Sequence, residues 1–227
     1  VSHNTIPIHP IVWKPCWRIV PSRFPSVDLF ERVANPSDWE ALIELEALTN
    51  DRIRDAVGDL TLVPVTDRVT GPGSTRIMAP FTHHNPTGSR FSDGTYGVFY
   101  AGREFETALA ETKYHREQFL RNTSEESTQL EMDALTVELN GELHDIRGMR
   151  TTYRAVYDPN DYSAGMELGR ELHRIHSYGL AYESVRHENG ECTAVFRPLV
   201  LKNCRHAKYL LYEWDGQRIS RVVERIS

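Results

Sequence analysis

Residues 88–117 read GSRFSDGTYGVFYAGREFETALAETKYHRE, and the rest of the chain is arranged around this stretch. The run from Tyr96 to Ala101 is aromatic and β-branched with turn residues on both sides, which predicts a strand stopped by Gly102. A helix follows from Glu104. Glu104 and Glu106 suit the positive end of its dipole, and Phe105, Ala108, Leu109, Thr112, Phe119 and Leu120 form its inner stripe. At 3.6 residues per turn Glu111 falls on the shoulder of that stripe with Glu104 and His115, where a carboxylate is able to face a cleft. Strand alternation turns Val98 and Tyr100 to one side and Phe99 to the other. Arg90 in the loop, Tyr100 at the strand's end and Glu111 on the helix are thereby able to converge as guanidinium, phenol and carboxylate. Each also has an ordinary reading, as a loop cation, a core aromatic and a surface acid.

On the N-terminal side, Val1 to Pro15 is punctuated by Pro and His and reads as an extended arm. Trp17 to Val20 reads as a first strand stopped by Pro21, with Arg18 facing away from Trp17 and Ile19. Pro36 and then Ser37-Asp38-Trp39-Glu40 form a capping box, opening a helix whose apolar side is Leu42, Leu45, Thr49, Ile53 and Ala56, with Gly58 as its stop. Thr61 to Val65 reads as an edge strand interrupted by Pro64. Thr70 to Gly88 reads as loop; Gly71-Pro72-Gly73-Ser74 lacks the Walker pattern and is taken as a turn.

On the C-terminal side, Asn122 to Gln129 is a polar loop. Leu135 to Leu139 and Glu142 to Ile146 are short strands, joined by a hairpin turn at Asn140-Gly141. A helix from about Ser163 to Ser177 carries Leu168, Leu172 and Ile175 inward. Leu180 to Tyr182 is then a strand delivering Ser184 at its far end, and Cys192 to Phe196 is another. Lys208 to Trp214 and Gln217 to Val222, joined by Asp215-Gly216, give the clearest hairpin signal.

A chain of 227 residues suits one domain with one substantial core. A net charge of −6 argues against a broad nucleic-acid surface while leaving room for a local basic cleft. Three cysteines without CxxC spacing suit a reducing cytoplasm, and no apolar run reaches membrane-spanning length. His173 and His176 lack a third partner at metal-binding spacing, and the side chains of His83-His84 and of His144-Asp145 diverge in extended chain, so no metal is assigned.

Four motifs resemble those of the RES domain family, named for an arginine, a glutamate and a serine, whose members are mostly toxins of bacterial toxin–antitoxin pairs. They are Gly88-Ser89-Arg90-Phe91, Tyr100, Ala108-Leu109-Ala110-Glu111, and Tyr178-Gly179-Leu180-Ala181-Tyr182-Glu183-Ser184-Val185-Arg186. Trp17-Arg18 resembles the family's first-strand aromatic-Arg pair, although Ile19 stands where an aromatic is common. The resemblance implies an α+β fold, a small mixed sheet split around a central cleft with flanking helices, as in ADP-ribosyltransferase toxins. It implies a single RES domain over 1–227 with an arm at 1–15 and a longer insertion at about 33–80.

It also implies NAD as substrate, with Arg90, Tyr100, Glu111 and Ser184 as the working set and Arg18 helping Arg90 and Tyr100 to bind it. An arginine fork matches a pyrophosphate, and a fixed carboxylate stabilises the cationic ribose left when nicotinamide departs. The ADP-ribose acceptor is inorganic phosphate by preference, with water and a protein side chain as alternatives. A nonenzymatic nucleotide-binding module is the reading from another class. The implied partner is a cognate Xre-type antitoxin, in an oligomer with the toxin, with no direct nucleic-acid contact, no membrane and no metal.

Overall fold

The computed structural model describes residues 6–22, 31, 35–41, 43, 58–83 and 85–225. Seven strands form one mixed sheet: β1 (Ile8–Pro21), β2 (Phe99–Gly102), β3 (Thr128–Asp145), β4 (Gly179–Glu183), β5 (Glu191–Val195), β6 (Leu201–Trp214) and β7 (Ile219–Arg225). The order is β1-β2-β5-β4-β3-β6-β7, and β1 also pairs with β3, which closes five strands into a ring. Among the described residues only β3 and β4 pair in parallel. On β3, β6 pairs from Thr128 to Leu139 and β4 takes over at His144 and Asp145, so the sheet forks there.

Side-chain alternation sorts the core onto two faces. Phe99 joins Leu135, Val137 and Val195 against Ile77, Met78 and Phe81 of helix α1 (Ser74–Thr82). On the other face, Ala108 and Leu120 of α2 (Phe105–Asn122) pack on Ile19, Met132, Ala134 and Tyr212. Beside them Leu168 and Leu172 of α3 (Ser163–Arg174) pack on Leu180, Tyr182, Cys192 and Ala194. Each large aliphatic group so buried is worth roughly 1.5–3 kcal/mol over exposure. The α+β expectation holds: a mixed sheet carries helices on both faces.

Several local expectations are corrected. β1 begins at Ile8, because Pro10 and Pro15 sit in a strand whose register with β3 runs from Ile8↔His144 to Pro21↔Met132; the arm from Ile8 onward is sheet. Thr61 to Val65 is not a strand. Asp59 accepts from the Thr61 backbone and hydroxyl, winding a 3-10 turn at Leu60–Leu62, and a second turn follows at Val65–Asp67. The loop expected over 70–88 contains α1, where burial of Ile77, Met78 and Phe81 overrides the helix-breaking cost of Pro80. At the capping box, Asn35 rather than Ser37 accepts the capping bond, from the Ser37 N–H, and Glu40 pairs with Arg68 at 2.6 Å. Most of the helix expected beyond it, including Leu42, Leu45, Thr49, Ile53 and Ala56, lies outside the described residues.

Asn140-Gly141 is not a turn, since β3 runs straight through it. Gly141 answers a packing need: a Cβ there would lie 2.3 Å from Val200 Cγ1. Phe119 and Ile175, expected inside, are exposed. The Asp215-Gly216 hairpin forms as read, with Gly216 at φ 96° and the Asp215 carboxylate accepting from the N–H of Gln217 and Arg218.

Candidate active site

The helix α2 projects Glu111, Tyr114 and His115 from one shoulder, at the i, i+3 and i+4 spacing that stacks side chains on one face. The end of β4 meets them. Ser184 Oγ donates to Glu111 Oε1 at 2.6 Å and accepts from the N–H groups of Arg186 and His187 at 3.0 and 2.9 Å. Two backbone donors therefore fix the hydroxyl so that its proton points at the carboxylate. Arg150 Nη2 donates to the Ser184 carbonyl at 2.5 Å, and Thr107 Oγ1 lies 2.9 Å from His187 Nδ1, tying the turn to α2. Glu111 Oε2 stands 4.0 Å from His115 Nε2. Desolvation, with the guanidiniums of Arg186, Arg90 and Arg116, lowers the His115 pKa to about 4, so it is neutral at pH 7.

The Arg90 loop is held from several sides. The Tyr100 hydroxyl accepts from the Phe91 N–H at 3.0 Å and lies 2.8 Å from Ser89 Oγ; burial pushes its pKa up to about 12. Tyr96 donates to the Phe91 carbonyl at 2.7 Å, and Ser92 Oγ donates to the Tyr96 carbonyl at 2.6 Å. Behind the loop, α3 presents Gly165 and Gly169. A Cβ at these positions would lie 2.4 Å from the Arg90 carbonyl oxygen and 2.1 Å from that of Phe91. Only bare backbone allows this approach.

Arg90 is 7% exposed, and its Nη1 donates to the carbonyls of Val156 and Asp158 at 3.0 and 2.8 Å. The guanidinium lies over the Tyr162 ring, 4.3 Å from its centroid. Its Nη2 is buried with no hydrogen-bond partner. The buried Tyr182 phenol and Cys192 thiol connect the two halves electrostatically. Burial raises both pKa values, Glu111 raises them further, and Arg90 opposes the rise.

Of the five residues expected to cooperate, Glu111 and Ser184 are bonded, and Tyr100 braces the loop of Arg90. Arg18 is elsewhere. Trp17 and Ile19 pack with the α2 cluster, which turns Arg18 to the other face, where it lies 4.6 Å over the Phe99 ring and donates to the Tyr100 carbonyl at 3.0 Å. Burial lowers its pKa to about 10, leaving it charged. On the α2 shoulder that carries Glu111, Arg186 lies over the Tyr114 ring, 3.3 Å from its centroid, with Nη2 donating to the Pro159 carbonyl. It stands in the Ser-x-Arg motif, which was a signal for it. Gly165 and Gly169, four apart in a helix, were a signal for the close approach behind Arg90. His173 stacks on Tyr96 with centroids 4.0 Å apart. Among the described residues no group of three or more His, Cys, Asp or Glu gathers to hold a metal, and no helix is long and apolar enough to cross a membrane.

A family model described as RES domain matches residues 66–215, a span holding Arg90, Tyr100, Glu111 and Ser184 but not Arg18. The chain belongs to the RES domain family. A curated relative of this RES protein is "Uncharacterized protein y4oC" from Sinorhizobium fredii (strain NBRC 101917 / NGR234). It is 31% identical over 210 residues, covering 90% of this chain and 84% of that protein. Among solved structures, the M. tuberculosis MbcT-MbcA toxin-antitoxin complex contains a chain that aligns with 91% of this RES protein and 87% of its own length. The TM-score is 0.48 and the identity 10%.

Proposed function

We propose that this RES protein consumes NAD, breaking the bond between nicotinamide and ribose and passing ADP-ribose to inorganic phosphate, with water as the other small acceptor. The observation that carries the reading is the Ser184–Glu111 bond, a carboxylate aimed by a hydroxyl that two backbone donors hold in place. As the bond breaks, its electron pair returns to the pyridinium nitrogen and positive charge develops on the ribose. Glu111, with Oε1 engaged by Ser184, offers Oε2 to that charge or to the neighbouring hydroxyl. A phosphate oxygen then forms the new bond to the same carbon. The buried guanidinium of Arg90, with an unused Nη2, suits the pyrophosphate. Tyr100 positions the Arg90 loop, and Arg18, on the other face, holds the Tyr100 carbonyl.

On the family's pattern the enzyme is cytoplasmic and held inactive by a cognate Xre-type antitoxin. The deciding experiment is NAD consumption by the purified chain with and without phosphate, the product identified by mass. A phosphate-dependent ADP-ribose phosphate is expected; plain ADP-ribose would make the enzyme a hydrolase. Intact NAD in both conditions would overturn the reading in favour of protein modification or a binding module. Glu111→Gln is expected to fold like the wild type and to lose turnover on the order of 10²–10³-fold, the usual cost of one electrostatic stabiliser.

A further inference from the structure

We infer that Arg186 is the second guanidinium of the site's anion subsite, paired with Arg90 across the 156–162 segment; this deepens the proposed reading and rests on it. Both arginines reach the same short segment. Arg90 donates to Val156 and Asp158 and stacks on Tyr162, while Arg186 donates to Pro159. Their acceptors Asp158 and Pro159 are adjacent in the chain, and adjacent Cα atoms are about 3.8 Å apart. Successive backbone carbonyls of one segment thus take one guanidinium each, and both charges act on His115.

Neither cation has a carboxylate among these bonds. The Asp158 carboxylate already accepts from the N–H groups of Asn160 and Asp161. Each arginine also keeps one buried N–H without an acceptor, Nη2 of Arg90 and Nε of Arg186. Buried donors are nearly always paired, so two orphans on neighbouring cations call for an anion that supplies the missing oxygens. The Tyr114 ring holds the Arg186 plane in place beforehand. The ligand class is a pyrophosphate or a phosphate ester next to Glu111, within reach of the charge that develops there.

Lysine keeps the charge but loses the planar fork and the stacking. Arg186→Lys should therefore raise KM for NAD at least about tenfold with little change in kcat. On nicotinamide riboside, which carries no phosphate, wild type and variant should be equal in kcat/KM. A structural bolt would instead lower kcat on both substrates, and that result, or an unchanged KM for NAD, would overturn the inference while leaving NAD cleavage intact.

If the wild type cleaves no NAD, calorimetry with inorganic pyrophosphate still decides. Binding by wild type, weakened at least about tenfold in both Arg186→Lys and Arg90→Lys, supports the subsite. Equal binding by all three, or none by wild type, overturns it. Far-ultraviolet dichroism and thermal melts on each variant separate misfolding from lost binding. If Arg186→Lys does not fold, Tyr114→Leu, which removes the stacking and leaves the guanidinium, takes its place with the same expected KM shift.

Discussion

At the scale of single residues, the Ser184 hydroxyl is both an anchor and an aiming device. Removing it in Ser184→Ala leaves the N–H groups of Arg186 and His187 without their acceptor and frees the Glu111 carboxylate. The expected cost is about 1–3 kcal/mol of stability in urea unfolding, with a fall in turnover that the stability loss alone does not explain. Unchanged turnover would show that Glu111 needs no aiming. The places of Glu111 on α2 and of Ser184 just past the end of β4 were legible from the motif spacing. Arg18 was legible only by halves: alternation set it opposite to Trp17 and Ile19, but nothing local says which face of the sheet carries the site. Only the packing of α2 against Trp17 and Ile19 decides that.

At the scale of elements, the join between the Arg90 loop and α3 controls the site's geometry. Gly169→Ala forces a Cβ toward the Phe91 carbonyl oxygen, now 2.1 Å from where it would sit. Overpacking of this kind costs on the order of 1–3 kcal/mol. The expected signature is a lower melting temperature together with a raised KM for NAD, since the strain is released through Arg90.

The same join carries the ion pair of Asp93 with Arg170, 2.8 Å apart. Hydrogen bonds from Thr95 and from Arg170 hold the Asp93 pKa down at about 2. An unfolded aspartate titrates near 3.9. Because the folded value is the lower one, the stabilisation is present above about pH 4 and is lost as pH falls toward 2. The stability difference between wild type and Asp93→Asn should narrow over that window, and a constant difference would remove Asp93 from the account. Elements with a local cause, such as the Asp215-Gly216 hairpin and the body of α2, were legible in the sequence. Those set by distant contacts were not: Gly141 reads as a turn until Val200 is seen above it, and α1 reads as loop until its apolar face finds β2 and β3.

For the molecule as a whole, the three cysteines report on global integrity. All are buried and free; burial pushes the Cys16 and Cys204 thiols up to about 12 and that of Cys192 well above its ordinary value. Thiolate is the reactive form, so alkylation at pH 8 should proceed only as the protein unfolds, with all three sites labelled together. Rapid labelling of one cysteine in native conditions would mean that its part of the core opens alone.

The closed ring also places the site in time. Cys16 donates to the carbonyl of Val137, made 121 residues later, and Glu111 waits 73 residues for Ser184. At ribosomal rates of about 5–20 residues per second, β1 spends several seconds outside the ribosome before its partner strand emerges. A chain that ends before Ser184 has Glu111 without its hydroxyl, so on the proposed reading translation itself withholds NAD cleavage until Ser184 has been added.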